Sequence, residues 1–420
     1  MRGRLFPKER GIMMNPHELL KELAAFSEGG PGTTRLTYSP EYRQAREVIL
    51  REMKGLGMTI SEDSMGNLFG RLPGKDESKL PVGIGSHIDT VPQGGDYDGM
   101  VGVVAALSVV EQIQDEGGSE YPLEVIVFAA EESSRFGIAT MGSQAMAGKG
   151  DFAKWLEMKD KKGISFREAL LENGLSPERL SDTARKPGEW AAFFELHIEQ
   201  GPVLERSGLD IGVVEAIAGP IRMKIRALGQ ADHSGATPMK GRKDALVASS
   251  YLIQAVEEAG QKEGSHGTVA TVGNVIVTPG VMNVIPGEVE LWVDLRGINK
   301  ESIQRAFDEI QERIQAVSKA REIDVQVEII STANPVALDA GLIGLLSASA
   351  EAEGVSHQVM PSGAGHDAMY MAELAPTGML FIPCKGGISH NPAEYSTPEQ
   401  IDIGIRVLKR AVSRFINSEA

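Results

Sequence analysis

Apolar positions along this chain change period repeatedly, and the changes mark out its elements. Over residues 16–26, Leu19, Leu20, Leu23 and Phe26 recur on one helical stripe, and Ser27-Glu28-Gly29-Gly30-Pro31-Gly32 ends it. Ser39-Pro40-Glu41 starts a second helix, with Val48, Ile49, Met53 and Leu56 facing the core. Met58-Thr59-Ile60 and Asn67-Leu68-Phe69-Gly70 read as short strands. Val82-Gly83-Ile84 reads as a buried strand running into Gly85-Ser86-His87-Ile88-Asp89-Thr90-Val91-Pro92. Asp98-Gly99 then starts a helix over residues 100–114. The clearest strand, residues 123–130, ends at Glu131-Glu132, and another over 191–198 ends at Glu199-Gln200-Gly201-Pro202. Between these two, residues 151–184 read as helical surface insertions of mixed charge, mostly a solvated face.

Near Gly219-Pro220 the pattern changes. A strand at 221–228, a helix at 244–259, strands at 269–277 and 288–295, a helix at 301–320 and a strand at 324–330 follow. This β-α-β-β-α-β order, within about 110 residues, is the ferredoxin-like arrangement. Alternating helix and strand then resume, ending in a helix at 399–416. The expected fold is α/β: a mixed sheet flanked by helices, written in residues 1–218 and 333–420, with an α+β domain inserted at 219–332.

Composition narrows the function. A length of 420 residues with 42% hydrophobic content predicts a folded protein of more than one domain. The net charge of −16 argues against nucleic acid and anionic membrane surfaces as partners, and no apolar run is long enough to span a membrane. Met1-Arg2-Gly3-Arg4 is basic but lacks the apolar core of a signal peptide, and Met1, Met13 and Met14 are all candidate starts. Cys384 is the only cysteine, which excludes internal disulfides and predicts a cytoplasmic, reducing setting.

The chemistry collects at strand ends. His87, Asp98, Glu132, His197 and His390 offer imidazole and carboxylate ligands that suit zinc or manganese, and one shared carboxylate suits a pair of ions. Glu131 and Glu132 are adjacent at a strand end, so they cannot both face one way and should differ in role. His87 and Asp89 are two apart, on one face if both lie in the strand, so one can bind a metal while the other orients it. Residues 142–149 are spaced wrongly for a phosphate loop.

Seven ordered motifs carry a resemblance. They are Gly85-Ser86-His87-Ile88-Asp89-Thr90, Gly94-Gly95-Asp96-Tyr97-Asp98-Gly99, Glu131-Glu132-Ser133-Ser134-Arg135-Phe136 and Glu195-Leu196-His197-Ile198-Glu199-Gln200-Gly201. His233-Ser234-Gly235-Ala236-Thr237-Pro238-Met239, Ser362-Gly363-Ala364-Gly365-His366-Asp367 and Ile388-Ser389-His390-Asn391-Pro392 complete them. The chain resembles the amidohydrolase branch of the dinuclear M20 metallopeptidase group: N-carbamoyl-L-amino acid hydrolases, allantoate amidohydrolases and β-ureidopropionases. The resemblance implies a zinc-exopeptidase-like fold whose inserted domain is a lid and the surface of a homodimer. It implies two divalent ions, zinc or else manganese or cobalt. Asp98 would bridge them, with His87 and His197 on one and Glu132 and His390 on the other. Glu131 would be the general base, Asp89 would orient His87, and His233 would stabilise the oxyanion. Asn283 and Arg296 would bind a substrate carboxylate, with Gln200 and the Gly365 backbone completing the pocket. On the strand at 288–296 the apolar residues alternate to one side, leaving Arg296 on the polar face with Asp294 and Trp292 and free for a ligand carboxylate.

The substrate is expected to be a small ureido or carbamoyl compound with a carboxylate. The wording Ala129-Ala130-Glu131-Glu132-Ser133-Ser134 departs from the Asp/Cys-Glu-Glu-Gly of the named members, which leaves the exact substrate open. N-acyl amino acid or dipeptide hydrolysis and a thiol amidase built on Cys384 are the remoter readings.

Overall fold

The computed structural model describes residues 14–417, so Met1-Arg2-Gly3-Arg4 and Met13 lie outside the described residues. The chain divides into two compact units. Met1–Glu215, Leu338–Met360 and Gly365–Ala420 make one, and Ala216–Ala337 with Pro361–Ala364 the other.

The first unit opens with α1 (Pro16–Ala24) and α2 (Pro40–Gly55), capped by the Asn15 and Ser39 side chains. Each carries Pro in its first turn, where the missing N–H forfeits no bond. The chain continues through β1 (Thr59–Glu62), β2 (Leu68–Leu72), β3 (Val82–His87), α3 (Met100–Asp115) and β4 (Leu123–Phe128). Three short helices, α4 (Met141–Met146), α5 (Phe152–Glu157) and α6 (Phe166–Glu172), precede β5 (Ala192–Ile198), α7 (Val203–Ser207) and β6 (Ile211–Ile217). The second unit holds β7 (Gly219–Leu228), β8 (Asp232–His233), α8 (Ala245–Glu263), β9 (Val269–Thr278), β10 (Val284–Ile285), β11 (Glu288–Gly297), α9 (Lys300–Arg321), β12 (Asp324–Thr332) and β13 (Val336–Ala337). The chain closes through α10 (Ala340–Glu353), β14 (His357–Ser362), α11 (Ala368–Met371), β15 (Thr377–Ile382) and α12 (Pro398–Asn417).

The main sheet runs β1-β2-β4-β3-β5-β15-β6. It is mixed: β3 is parallel to β4 and β5, and β15 to β5, while β1, β2 and β6 join antiparallel. Every residue of β3, β4 and β5 is buried, as expected of strands covered on both faces. α3 packs on this centre and is buried almost all round from Met100 to Val110. A mixed α/β sheet flanked by helices is therefore observed. Residues 151–184 are helical and mostly exposed, as expected, but their apolar side is anchored: Trp155, Phe166, Leu170 and Leu180 pack with Tyr38, Met65 and Phe136 into a core of their own. β6 was missed, since only Ala218 separates it from β7.

In the second unit a four-stranded sheet has the order β12-β7-β11-β9, with all neighbours antiparallel. Met223, Ile225, Ala227, Val289, Leu291, Val293 and Leu295 form its buried face together with α8 and α9. β8 and β10 make a separate two-stranded ribbon that pairs His233 with Val284. Among the described residues no helix is long and apolar enough to cross a membrane.

Candidate metal centre

Parallel strands that start together also end together. His87 closes β3 opposite Phe128 of β4, Glu131 and Glu132 lie just beyond β4, and His197 is the penultimate residue of β5. The loop before α3 adds Asp98 and the loop after β15 adds His390. Asp98 is the hub. Its Oδ1 lies 3.1 Å from His197 Nε2 and 3.8 Å from His87 Nε2. Its Oδ2 lies 3.0 Å from His390 Nε2, which is 3.3 Å from Glu132 Oε1. Two three-residue groups thus share one carboxylate: His87, Asp98 and His197, and Asp98, Glu132 and His390.

The imidazoles are oriented for ligation. His87 Nδ1 meets the Asp89 carbonyl at 3.0 Å and His197 Nδ1 the Ile198 carbonyl at 2.9 Å, so each ring donates from Nδ1 and turns the Nε2 lone pair toward Asp98. It is the main-chain carbonyl of Asp89 that meets His87 Nδ1, while its carboxylate, 3.7 Å from that nitrogen, accepts the Glu131 and Glu132 amides at 3.3 and 3.0 Å. β3 ends at His87, so Asp89 lies beyond the strand and its alternation.

The electrostatics call for cations. Burial, with Glu132, Asp367 and Asp89 close by, pushes the Glu131 carboxyl well above the usual range. Burial also raises Glu132, although His390 partly offsets it. Burial would raise Asp98 as well, but the imidazoles of His197 and His390 outweigh it and hold the carboxyl well below its ordinary value. Hydrogen bonds to Asp98 and Glu132 lift His390 to about 11, while burial drops His87 to about 4. Ala130, Gln200 and His390 all adopt left-handed backbone, at φ of 55°, 56° and 55°. Gln200 Nε2 donates to Asp98 Oδ2 at 2.9 Å, and its buried Oε1 has no hydrogen-bond partner. A carboxylate shared by two donor groups, imidazoles tethered at Nδ1 and an orphaned amide oxygen together fit a pair of divalent ions.

Around this centre lie groups that the sequence reading left out as site residues. Glu195 accepts the Ser86 hydroxyl at 2.7 Å and the Ala368 amide at 3.1 Å, and with His197 and His366 it forms a third, fully buried His/Glu group. Glu195 lies two before His197 on β5, so alternation would have placed both on one face. Gly365 sits exposed in the loop ahead of buried His366 and Asp367.

The remaining candidates belong to the second unit. His233 Nδ1 accepts the Gly235 and Ala236 amides at 3.0 and 3.1 Å, which puts the ring proton on Nε2 as an outward donor. Asn283 is beside it, its carbonyl accepting Ser234 N at 3.0 Å. Arg296 is not free as expected: Nε and Nη2 pair with Asp294, and Nη1 donates to the Gly363 carbonyl at 2.8 Å. Nor is it near its expected partner. Arg296 pairs with Pro220 at one end of β7, and the ribbon holding His233 and Asn283 follows Leu228 at the other. Eight strand residues of rise separate those ends, on the order of 25 Å. Cys384 is fully buried and burial pushes its thiol to about 11, which removes the thiolate a nucleophile needs.

Residues 83–414 match the model of Peptidase family M20/M25/M40, and the chain belongs to that family. An N-carbamoyl-L-amino acid amidohydrolase of Geobacillus stearothermophilus is 38% identical over 412 residues, covering 97% of this chain and 100% of that one. A ureidoglycolate hydrolase of Oryza sativa is 39% identical, covering 94% of this chain and 83% of that one. The crystal structure of a hydantoinase/carbamoylase-family amidase from Burkholderia multivorans superposes with a TM-score of 0.86 at 36% identity, over 95% of this chain and 97% of that one. The chain is a hydrolase acting on carbon–nitrogen bonds other than peptide bonds.

Proposed function

We propose that the chain is a dinuclear metal-dependent amidohydrolase that cleaves the ureido C–N bond of an N-carbamoyl-L-amino acid, giving the amino acid, carbon dioxide and ammonia. The observation that carries this reading is Asp98, whose two oxygens face two separate ligand groups. His87 and His197 would complete one position, and Glu132 and His390 the other. Two divalent ions there, zinc with manganese or cobalt as substitutes, would supply Lewis acidity to a carbonyl and acidify water. Glu131, buried next to the Glu132 ligand and 3.8 Å from His87 Nε2, would take a proton from the attacking water and pass it to the leaving nitrogen. Asp89 holds the Glu131 and Glu132 amides, fixing base and ligand together. His233 Nε2–H is a donor for the oxyanion, and Gln200 has an unpaired acceptor for the substrate's N–H. A carbamate product would break down to carbon dioxide and ammonia.

The substrate carboxylate is assigned to Arg296, which would exchange its Gly363 or Asp294 partner for it, with Asn283 contacting the same ligand and the Gly365 backbone bordering the pocket. The separation of Arg296 from His233 along β7 is too long for one small substrate, so a second copy would supply one of the two groups. The inserted unit, residues 219–332, would be both lid and dimer surface. Exposed Val275, Ile276, Ile329 and Ile330 on the edge strands β9 and β12 support a homodimer. No nucleic acid or membrane partner is proposed, and the lone buried Cys384 suits a cytoplasmic protein.

The test is ammonia release from a panel of N-carbamoyl-L-amino acids, ureidopropionate, allantoate and ureidoglycolate, with free amino acid measured instead for N-acyl amino acids, which release no ammonia. The highest kcat/KM is expected on an N-carbamoyl-L-amino acid. A preference for allantoate or ureidoglycolate would reassign the substrate with the mechanism intact. Turnover of N-acyl substrates alone would overturn the reading.

A further inference from the structure

Two residues of the metal-centre motifs have no part in the scheme above: Gly95 and Ser389. Both converge on Glu394, a carboxylate only 5% exposed that lies three residues past Asn391 in the loop after β15. Its Oε1 accepts two successive backbone amides, Tyr97 N and Asp98 N, each at 3.0 Å across 296 residues or more of chain. Its Oε2 accepts the Ser389 hydroxyl at 2.8 Å, and the same Ser389 oxygen is 3.2 Å from Asp98 Oδ2. The carboxylate head is seated over Gly95, where a Cβ would fall 2.1 Å from Oε1, so only glycine admits it. Next door, Tyr97 and Tyr395 meet edge to face at 5.7 Å and join the same two loops a second time.

We propose that Glu394 is a positioning residue that locks the Asp98 loop to the His390 loop and so sets the metal position shared by Asp98, Glu132 and His390. The proposal rests on the dinuclear reading above. Asp98 and His390 both come from loops rather than strands; the helices that follow them, α3 and α12, pack together, and Glu394 joins the two loops directly. Glu394 binds the Asp98 main chain, while Ser389 next to His390 bridges from Glu394 to the Asp98 carboxylate. Without the lock, the two ligands of one position would be held by separate loops, whereas His87 and His197 would remain anchored on β3 and β5.

The test is cobalt binding to the metal-stripped full chain, followed by visible absorption and chelator competition. Wild type is expected to bind about two ions. Glu394→Ala should weaken one position by about 10–100-fold, the usual worth of an outer-sphere partner, and leave the other near wild type. Gly95→Ala, which keeps Glu394 but displaces its head, should behave like Glu394→Ala. Glu394→Gln keeps an acceptor for both amides and should recover most of the loss. Wild-type cobalt titration by Glu394→Ala would overturn the lock alone. Equal losses in the Ala and Gln variants, with a lowered melting temperature when stripped, would reduce Glu394 to packing and also overturn it. A wild-type chain that binds no cobalt would instead sink the dinuclear reading itself.

Discussion

Glu131 and Glu132 are adjacent and both buried, yet only Glu132 reaches His390. Glu131→Gln should therefore keep near-normal metal content while turnover falls by roughly two to four decades, the worth of a general base. Metal analysis beside kinetics checks this, and loss of metal from Glu131→Gln with turnover loss alone from Glu132→Gln would reverse the two roles. The divergence of this pair was legible from adjacency at a strand end. The part played by Asp89 was not, because period-two reasoning assumes a strand that here stops at His87. Arg35 gave no signal at all in the sequence. It is fully buried, and its guanidinium donates to the carbonyls of Ile88 at 2.7 Å, Leu23 at 2.7 Å and Phe26 at 3.0 Å, joining α1 to the loop that follows His87. Arg35→Met would take that donor from the Ile88 and Phe26 carbonyls, while Leu23 keeps the Phe26 amide, and urea unfolding should show a loss of about 2 kcal/mol or more.

At the level of elements, the long periodic helices and apolar strands were readable, because burial of one face writes itself into the spacing. Short pieces were not: β8 and β10 span two residues each, too few for a strand period to show. The approach of α3 to the sheet was equally hidden. A Cβ at Gly102 would lie 2.3 Å from the Leu196 carbonyl and 2.6 Å from Ser86 Cβ, so the helix can rest on β3 and β5 only through glycine. Gly102→Val should push α3 off the strands that end in His87 and His197. The expected cost is about 1–3 kcal/mol, with weakened metal binding. A variant with unchanged melting and unchanged metal affinity would show that α3 is not what holds those strand ends.

For the whole molecule, sequence order revealed which groups sit at strand ends but not which strand ends are neighbours. That depends on pairing: β15 inserts beside β5, which carries His390 to a site otherwise built more than a hundred and ninety residues earlier in the chain. Pairing register likewise separates Arg296 from His233, a distance no motif reveals. All the candidate ligand groups among the described residues fall in the first unit. Metal should therefore stabilise the two units unequally. Each position filled at 100 times its dissociation constant contributes about 2.7 kcal/mol, so two contribute about 5 kcal/mol. Scanning calorimetry of the chain in chelator, and again after adding zinc, manganese or cobalt, should show the transition of the first unit rise. The four-stranded sheet of the second, which brings no ligand, should melt where it did before. Ammonia release should vanish and return in step with that shift. Identical melting with and without metal would mean that the buried carboxylates are satisfied by the protein alone, and that Asp98 bridges nothing.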